Sequence, residues 1–394
     1  MLTLRRLTFG QLFRSLIVAL CLCYTPFALS LPYTNIFVFG DSLSDSGNVA
    51  ASTGGRVPGA PYFAGRASNG LNYADVLAAG LGLDLTASLT GGNSFAYGGA
   101  RTRTNRFGLS LQQQVQAYVD RDAVADPGAL YVFYGGSNNI QDALVAASRD
   151  PPNALAIGND AVIQALGDVA TMLNTLAVLG AHNFLVPNLP NVGLVPRIQA
   201  LGNPGLAQFG AQLGVAFNTG LEQILTGLDA GNNVFRLDVF SAFQDIVNDP
   251  AAFGITNVTD RCYTGDDINF TGGGTVCANP DQFLFWDGIH PTAGVHARLG
   301  RLALAAVAPE PGTALLLCLG VMAIGYRKIQ HSKSSVSEHA RSRTLLGSWR
   351  AVAGGPHATS FLARCIGPYQ PQKLFGREGD RFEVFVNRRQ VNVD

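Results

Sequence analysis

Ser42 follows an apolar run and is flanked by small and acidic residues in IFVFGDSLSDSGN, residues 36–48. A serine hydroxyl yields too little alkoxide to attack a carbonyl unaided. A nucleophilic role therefore requires a base within hydrogen-bond reach, a group that fixes the base's tautomer, and donors for the oxyanion that forms. Between residues 31 and 308 the candidate bases are His182, His290 and His296. His182 precedes a strand-like run and His296 falls in the helical run TAGVHARLGRLALAAVA, positions that suit structural or solvated side chains. His290 sits in FLFWDGIHPT, three residues after Asp287 and directly before Pro291 and Thr292. The proline keeps a helix from starting any earlier. In such a turn Asp287 can reach one ring nitrogen of His290 and leave the other facing a pocket. The chemistry these three side chains would perform is acyl transfer through a covalent intermediate, and it requires no metal or organic cofactor.

The elements that must position them read as a βα alternation. Apolar runs at 35–40, 129–136, 182–188 and 232–239 are separated by segments such as LSLQQQVQAYVDR, whose apolar residues recur at three- and four-residue spacing. Runs apolar at nearly every position predict a parallel sheet covered by helices on both faces, and such sheets gather their sites at the carboxyl ends of the strands. Ser42 follows the first run, Asn138 the second, and the Asp287–His290 segment lies beyond the last. Residues 241–285 are rich in Gly and Asn and read as a long loop. Cys262 and Cys277 within it, lacking CxxC spacing or a nearby histidine cluster, fit a disulfide better than a metal site. Closing so short a loop contributes roughly 3 kcal/mol. Loops 50–70 and 241–285 are expected to shape the pocket.

Four segments in order carry a resemblance to a known family. GDSL at 40–43, NSFAYGGART at 93–102, GGSNN at 135–139 and DGIHPT at 287–292 resemble the first, second, third and fifth blocks of the GDSL, or SGNH, serine esterases and lipases, and together cover Ile36 to about Ala308. The resemblance implies a flavodoxin-like three-layer α/β/α sandwich with a five-stranded parallel sheet. It also implies Ser42 as nucleophile, His290 as base, Asp287 as its orienter, and an oxyanion hole of the Ser42 N–H, the Gly99 N–H (Gly98 as fallback) and the Asn138 amide. Where the family commonly has Asp after the block-three asparagine, this chain has Asn139, which bears on the support of the Asn138 loop. Other uses of these residues are a tight turn for Gly98 and Gly99, a positive φ for Asn138 and helix caps for Asp41 and Asp45.

Charge and termini bound the setting. Residues 31–308 hold 12 arginines, no lysine and 21 acidic residues, a net of −9, which argues against a nucleic-acid partner. Residues 1–30, with Arg5, Arg6 and Arg14 before LIVALCLCY and FALS, have the three regions of a secretory signal. VAPEPGTALLLCLGVMAIGYRK, from Val307, resembles the PEP-CTERM sorting signal, which implies an exosortase-type processing protease, membrane tethering through 309–330, and a surface or matrix location. Such signals normally end a chain, whereas here a basic tail, 331–394, follows. NxT triplets at Asn257 and Asn269 match glycosylation acceptors and are expected to be unused. The expected substrate is an ester of a lipid, a small acyl group or an acetylated glycan. The competing readings are an extracellular polysaccharide O-deacetylase of the same fold and a non-catalytic surface or matrix-binding protein that retains it.

Overall fold

The run IFVFG forms β1, Ile36–Gly40, with every residue buried. A strand covered on both faces has no reason to alternate polar and apolar side chains. The computed structural model describes residues 33–308; the signal segment 1–30, the anchor segment 309–330 and the tail 331–394 lie outside the described residues. In chain order β1 is followed by α1 (Asn48–Ser52), α2 (Tyr73–Leu81), α3 (Leu111–Arg121), β2 (Leu130–Tyr134), α4 (Ser137–Arg149), α5 (Ala154–Val178) and β3 (Asn183–Pro187). Then come α6 (Pro196–Gln199), α7 (Pro204–Leu228), β4 (Asn233–Leu237), α8 (Val239–Asn248), β5 (Asn257–Arg261), β6 (Phe283–Phe285) and α9 (Ala293–Val307).

Strands β1, β2, β3 and β4 are parallel neighbours in that order, with Ile36 opposite Leu130 and Leu130 opposite Asn183. Beyond β1 the segment around Ser94 adds a parallel bridge to Val38, with Phe95 N–H donating to Val38 O at 2.7 Å and Tyr97 N–H to Gly40 O at 3.2 Å. Counting it, the sheet has the flavodoxin-like order 2-1-3-4-5. The fifth member stays shorter than a full strand. Its outward carbonyls at Ser94 and Ala96 are taken by the Asn48 side-chain amide at 2.7 and 2.9 Å, and Gly98 and Gly99 end it in a turn.

Helices cover both faces. Tyr131 packs on Tyr118 of α3, while Tyr134, three residues on, packs on Tyr73 of α2. Odd spacing along a strand sends side chains to opposite faces. One layer holds α2 against α9; the other holds α4, α5 and α7, with α3 against α5. Capping boxes start α2 at Asn72 with Asp75 and α3 at Ser110 with Gln113.

Residues 241–285 are not the featureless loop the composition suggests. They open inside α8, where Asp238 accepts from the Ser241 N–H and Val239, Ala242, Phe243 and Ile246 make a buried stripe. They also contain β5 and β6, a parallel pair. The helical period is there in VFSAFQDIVN, hidden by the Gly- and Asn-rich chain after it. Within the remainder Cys262 and Cys277 form a disulfide, 15 residues apart in sequence.

Candidate functional site

Gly40 ends β1 in a close fit: a Cβ there would lie 2.8 Å from Tyr134 O, so only glycine lets the chain leave the sheet at this point. The Gln114 side chain brackets it, accepting from Gly40 N–H and donating to Gly40 O, both at 2.9 Å. Asp41 then folds the next residues into a turn by accepting from the Leu43 N–H at 3.0 Å. Ser42 stands at the apex, over the carboxyl end of the sheet.

The Ser42 Oγ lies 2.8 Å from His290 Nε2, and His290 Nδ1 lies 2.7 Å from Asp287 Oδ2. The residues are 248 positions apart at the first contact and three apart at the second. Because a carboxylate only accepts and the hydroxyl has a proton to give, the tautomer that satisfies both neighbours carries its proton on Nδ1. The Asp287 Oδ1 takes the backbone N–H groups of Ile289 and His290 at 2.9 and 2.8 Å, and Tyr62 Oη donates to Oδ2 at 2.8 Å. Burial would raise the Asp287 carboxyl, but the His290 ring and the two N–H donors outweigh it and hold it below the usual value.

Around Ser42 the donors sort themselves. The Gly98 N–H is committed to Asp45 Oδ2 at 2.8 Å. The N–H groups of Ser42 and Gly99 have no acceptor among the described residues, and both residues line the cleft. Gly99 has φ +77, and a Cβ on it would press on Asn105 and Phe107 at 3.2 Å. The turn thus requires glycine at this position. Asn138 lies in the first turn of α4. The positive φ belongs instead to Gly136, at 116°, so that reading of Asn138 is corrected: the bend falls two residues earlier, at the helix N-cap. Its amide donates to Ala100 O at 3.0 Å and to Asp41 Oδ2 at 3.3 Å. Burial pushes the Asp41 carboxyl up to about 6, against the pull of the Leu43 N–H, His290 and Arg101. Asn139 binds Thr102 at both ends of its amide, 3.1 Å each, so the departure from the family residue leaves this loop tied to α4.

The other candidates stand apart. His296 is buried in α9 and its Nδ1 accepts from Tyr73 N–H at 3.3 Å. His182 is exposed beside Asn232. Asn257 opens β5, and the Asn269 side chain meets Arg106.

Asp45 does more than cap α1. Besides accepting from Gly47, Asn48 and Val49 it holds Gly98, so one carboxylate ties the turn after β1 to the loop carrying Gly99. Sequence reasoning assigns Asp45 only the cap, because nothing local signals a partner 53 residues away. Gln114, Asn48 and Tyr62 escape it for the same reason. The cleft has a volume of about 140 Å³ and is lined by Ser42, Gly99, Asn138 and His290 together with Phe107 and Phe270.

A parallel α/β sheet with a hydrogen-bonded serine, histidine and aspartate at its carboxyl edge defines an α/β protein with a hydrolase-type site. The chain belongs to the GDSL-like lipase/acylhydrolase family, which its residues 36–303 match. It is 28% identical over 320 residues to a GDSL esterase/lipase of Arabidopsis thaliana, covering 68% of this chain and 81% of that one. It is 28% identical over 324 residues to the esterase EstA of Pseudomonas aeruginosa, covering 70% of this chain and 48% of EstA, about half its length. Among solved structures it is similar to a lipase from a goat rumen metagenome, at 13% identity and a TM-score of 0.38, covering 69% of this chain and 96% of that one.

Proposed function

We propose that the chain is an exported hydrolase of carboxylic esters working through Ser42, His290 and Asp287. The observation that carries this reading is the continuous row from the Ser42 Oγ through the His290 ring to Asp287, with contacts of 2.8 and 2.7 Å, in the wall of a cleft. Ser42 Oγ attacks the ester carbonyl carbon as its proton passes to His290 Nε2. The oxyanion is held by the Ser42 and Gly99 N–H groups and the Asn138 amide, which exchanges its longer bond, to Asp41, for the new oxygen. Collapse expels the alcohol, protonated by His290. A water then gives its proton to the same nitrogen, attacks the acyl-enzyme and releases the acid.

Export through residues 1–30 and tethering through the PEP-CTERM-like segment 309–330, with an exosortase-type protease acting there, belong to the same proposal and rest on the sequence. A second reading, O-deacetylation of an extracellular polysaccharide, rests on the PEP-CTERM-like segment alone. The test is turnover of p-nitrophenyl esters of graded chain length, beside acetate release from acetylated glycan. Ser42→Ala should abolish both while the melting temperature holds. An unmodified protein that folds and turns over none of these substrates would leave the surface-binding reading instead.

A further inference from the structure

Tyr62 lies outside the lining of the cleft and 225 residues from Asp287 in sequence. It is buried with Trp286 and Tyr263. Its ring meets Tyr263, Phe270 and Trp286 edge-on, at centroid distances of 5.4, 5.2 and 6.2 Å. This packing aims the hydroxyl at one atom, Asp287 Oδ2, the same oxygen that faces His290 Nδ1. With Oδ1 held by two backbone N–H groups, Tyr62 completes a set of four donors around a carboxylate with no solvent exposure. The neighbouring Tyr263 provides the contrast, since its buried hydroxyl has no partner among the described residues.

We infer that Tyr62 is a positioning residue of the proposed ester hydrolase: its phenol fixes the outer oxygen of Asp287 and sets how strongly that oxygen holds the proton on His290 Nδ1. This rests on the catalytic reading of the Ser42–His290–Asp287 row. A donor sharing the carboxylate draws off part of its charge, so its loss leaves a stronger acceptor facing the imidazolium that forms when Ser42 attacks. Burial first, and then the Asp287 charge, push the Tyr62 phenol far above its usual range, which keeps it a donor to the carboxylate. The other ionisable groups facing the row are Asp41 and Asp45 after β1, Asp267, Tyr263 and Arg197 beside the 287–290 turn, Arg101 and Arg106 in the cleft wall and His296 on α9. Tyr62→Phe changes none of them and keeps the ring.

The experiment compares the full chain with Tyr62→Phe, Tyr263→Phe and a protein carrying 3-fluorotyrosine at position 62, whose phenol is the stronger donor. Two readouts are taken: the pH profile of kcat and KM, and the low-field proton resonance of the His290–Asp287 hydrogen bond. Tyr62→Phe should lower kcat by about three- to tenfold, because a carboxylate no longer fixed at Oδ2 holds the ring less well toward Ser42 and this outweighs its stronger pull on the imidazolium, leave KM unchanged, move the acid limb of kcat/KM to higher pH and shift the proton further downfield. Fluorotyrosine should move limb and proton the other way, and Tyr263→Phe should move neither. A Tyr62→Phe profile and resonance superimposable on the parent's, or equal shifts in Tyr263→Phe, would overturn the inference. Failure of the catalytic reading would look different: no ester turnover by the parent, or turnover surviving Ser42→Ala. The resonance tests Tyr62 in either case.

Discussion

His296 makes the stability of this fold depend on pH in a direction that can be worked out beforehand. It is 1% exposed, and its Nδ1 accepts from Tyr73 N–H, the first N–H of α2, at 3.3 Å. Burial, helped by nearby His290 and opposed by Asp75, pushes the ring down to about 3 from 6.5. Between these values the unfolded chain binds a proton that the native protein does not. The neutral ring's contribution is therefore complete above pH 6.5 and is lost as pH falls toward 3. At about 1.4 kcal/mol per unit, lowering the pH from 7 to 4 removes about 3 kcal/mol. Asp41 runs the other way: raised to about 6 from 3.8, it stabilises the native state below 3.8, and that contribution is lost as pH rises through 6. The comparison must cancel Asp41. His296→Asn does so, because Asn retains an acceptor near the Nδ1 position, cannot take a proton and leaves Asp41 untouched. Urea unfolding of parent and variant at pH 7 and pH 4 should show the parent losing about 3 kcal/mol more than the variant between the two, with unchanged m-values. Equal losses would refute the argument, since they would mean that the buried ring accepts its proton without unfolding.

Two further expectations concern the architecture around Ser42. Asp45→Asn replaces one oxygen of a carboxylate that takes four N–H groups by an amide that donates toward them, which frees the Gly98–Gly99 loop. In steady-state ester kinetics kcat should fall by about ten- to hundredfold with KM little changed, because a donor to the transition state is misplaced while ground-state contacts remain. Cys262→Ser with Cys277→Ser opens a loop of 15 residues and should cost roughly 3 kcal/mol, read as a lower urea midpoint that reducing agent reproduces in the parent.

Much of this was legible in the sequence where the signal is local. The strand runs announce β1 to β3, because parallel strands buried on both faces are apolar nearly throughout, and β4, partly exposed and carrying Arg236, follows from the same alternation. The helical stripes between them announce α3, α5 and α7. Asp287 and His290 are readable as a pair because three residues and a proline constrain them. The edge segment at Ser94 and the helix α8 were not legible. The first takes its definition from the Asn48 amide and from β1, both distant in sequence; the second is masked by the irregular chain that follows it. The supporting residues Asp45, Gln114 and Tyr62 are ordinary types whose partners lie 53, 74 and 225 positions away, and no period or spacing in one chain encodes such a contact.

The His290–Asp287 pair is held by its own turn: Asp287 receives the Ile289 and His290 N–H groups, and Trp286 N–H closes onto His290 O at 2.7 Å. The Ser42–His290 contact has no such local support. It depends on the sheet beneath Ser42 and on long-range ties that seat the 287–292 turn, chiefly Ser68 Oγ to Pro291 O and Asn69 Oδ1 from Ala293 N–H, at 2.9 and 2.8 Å, and Tyr263 N–H to Trp286 O. Because a local turn can persist while distant segments drift, loosening the loop 241–285 lengthens the serine–histidine contact before it disturbs the histidine–aspartate one, whereas loosening 50–70 also withdraws Tyr62 from Asp287 Oδ2. Acyl transfer is steeply sensitive to the distance between nucleophile and base. These two loops therefore govern activity, although the chemistry is carried by neither.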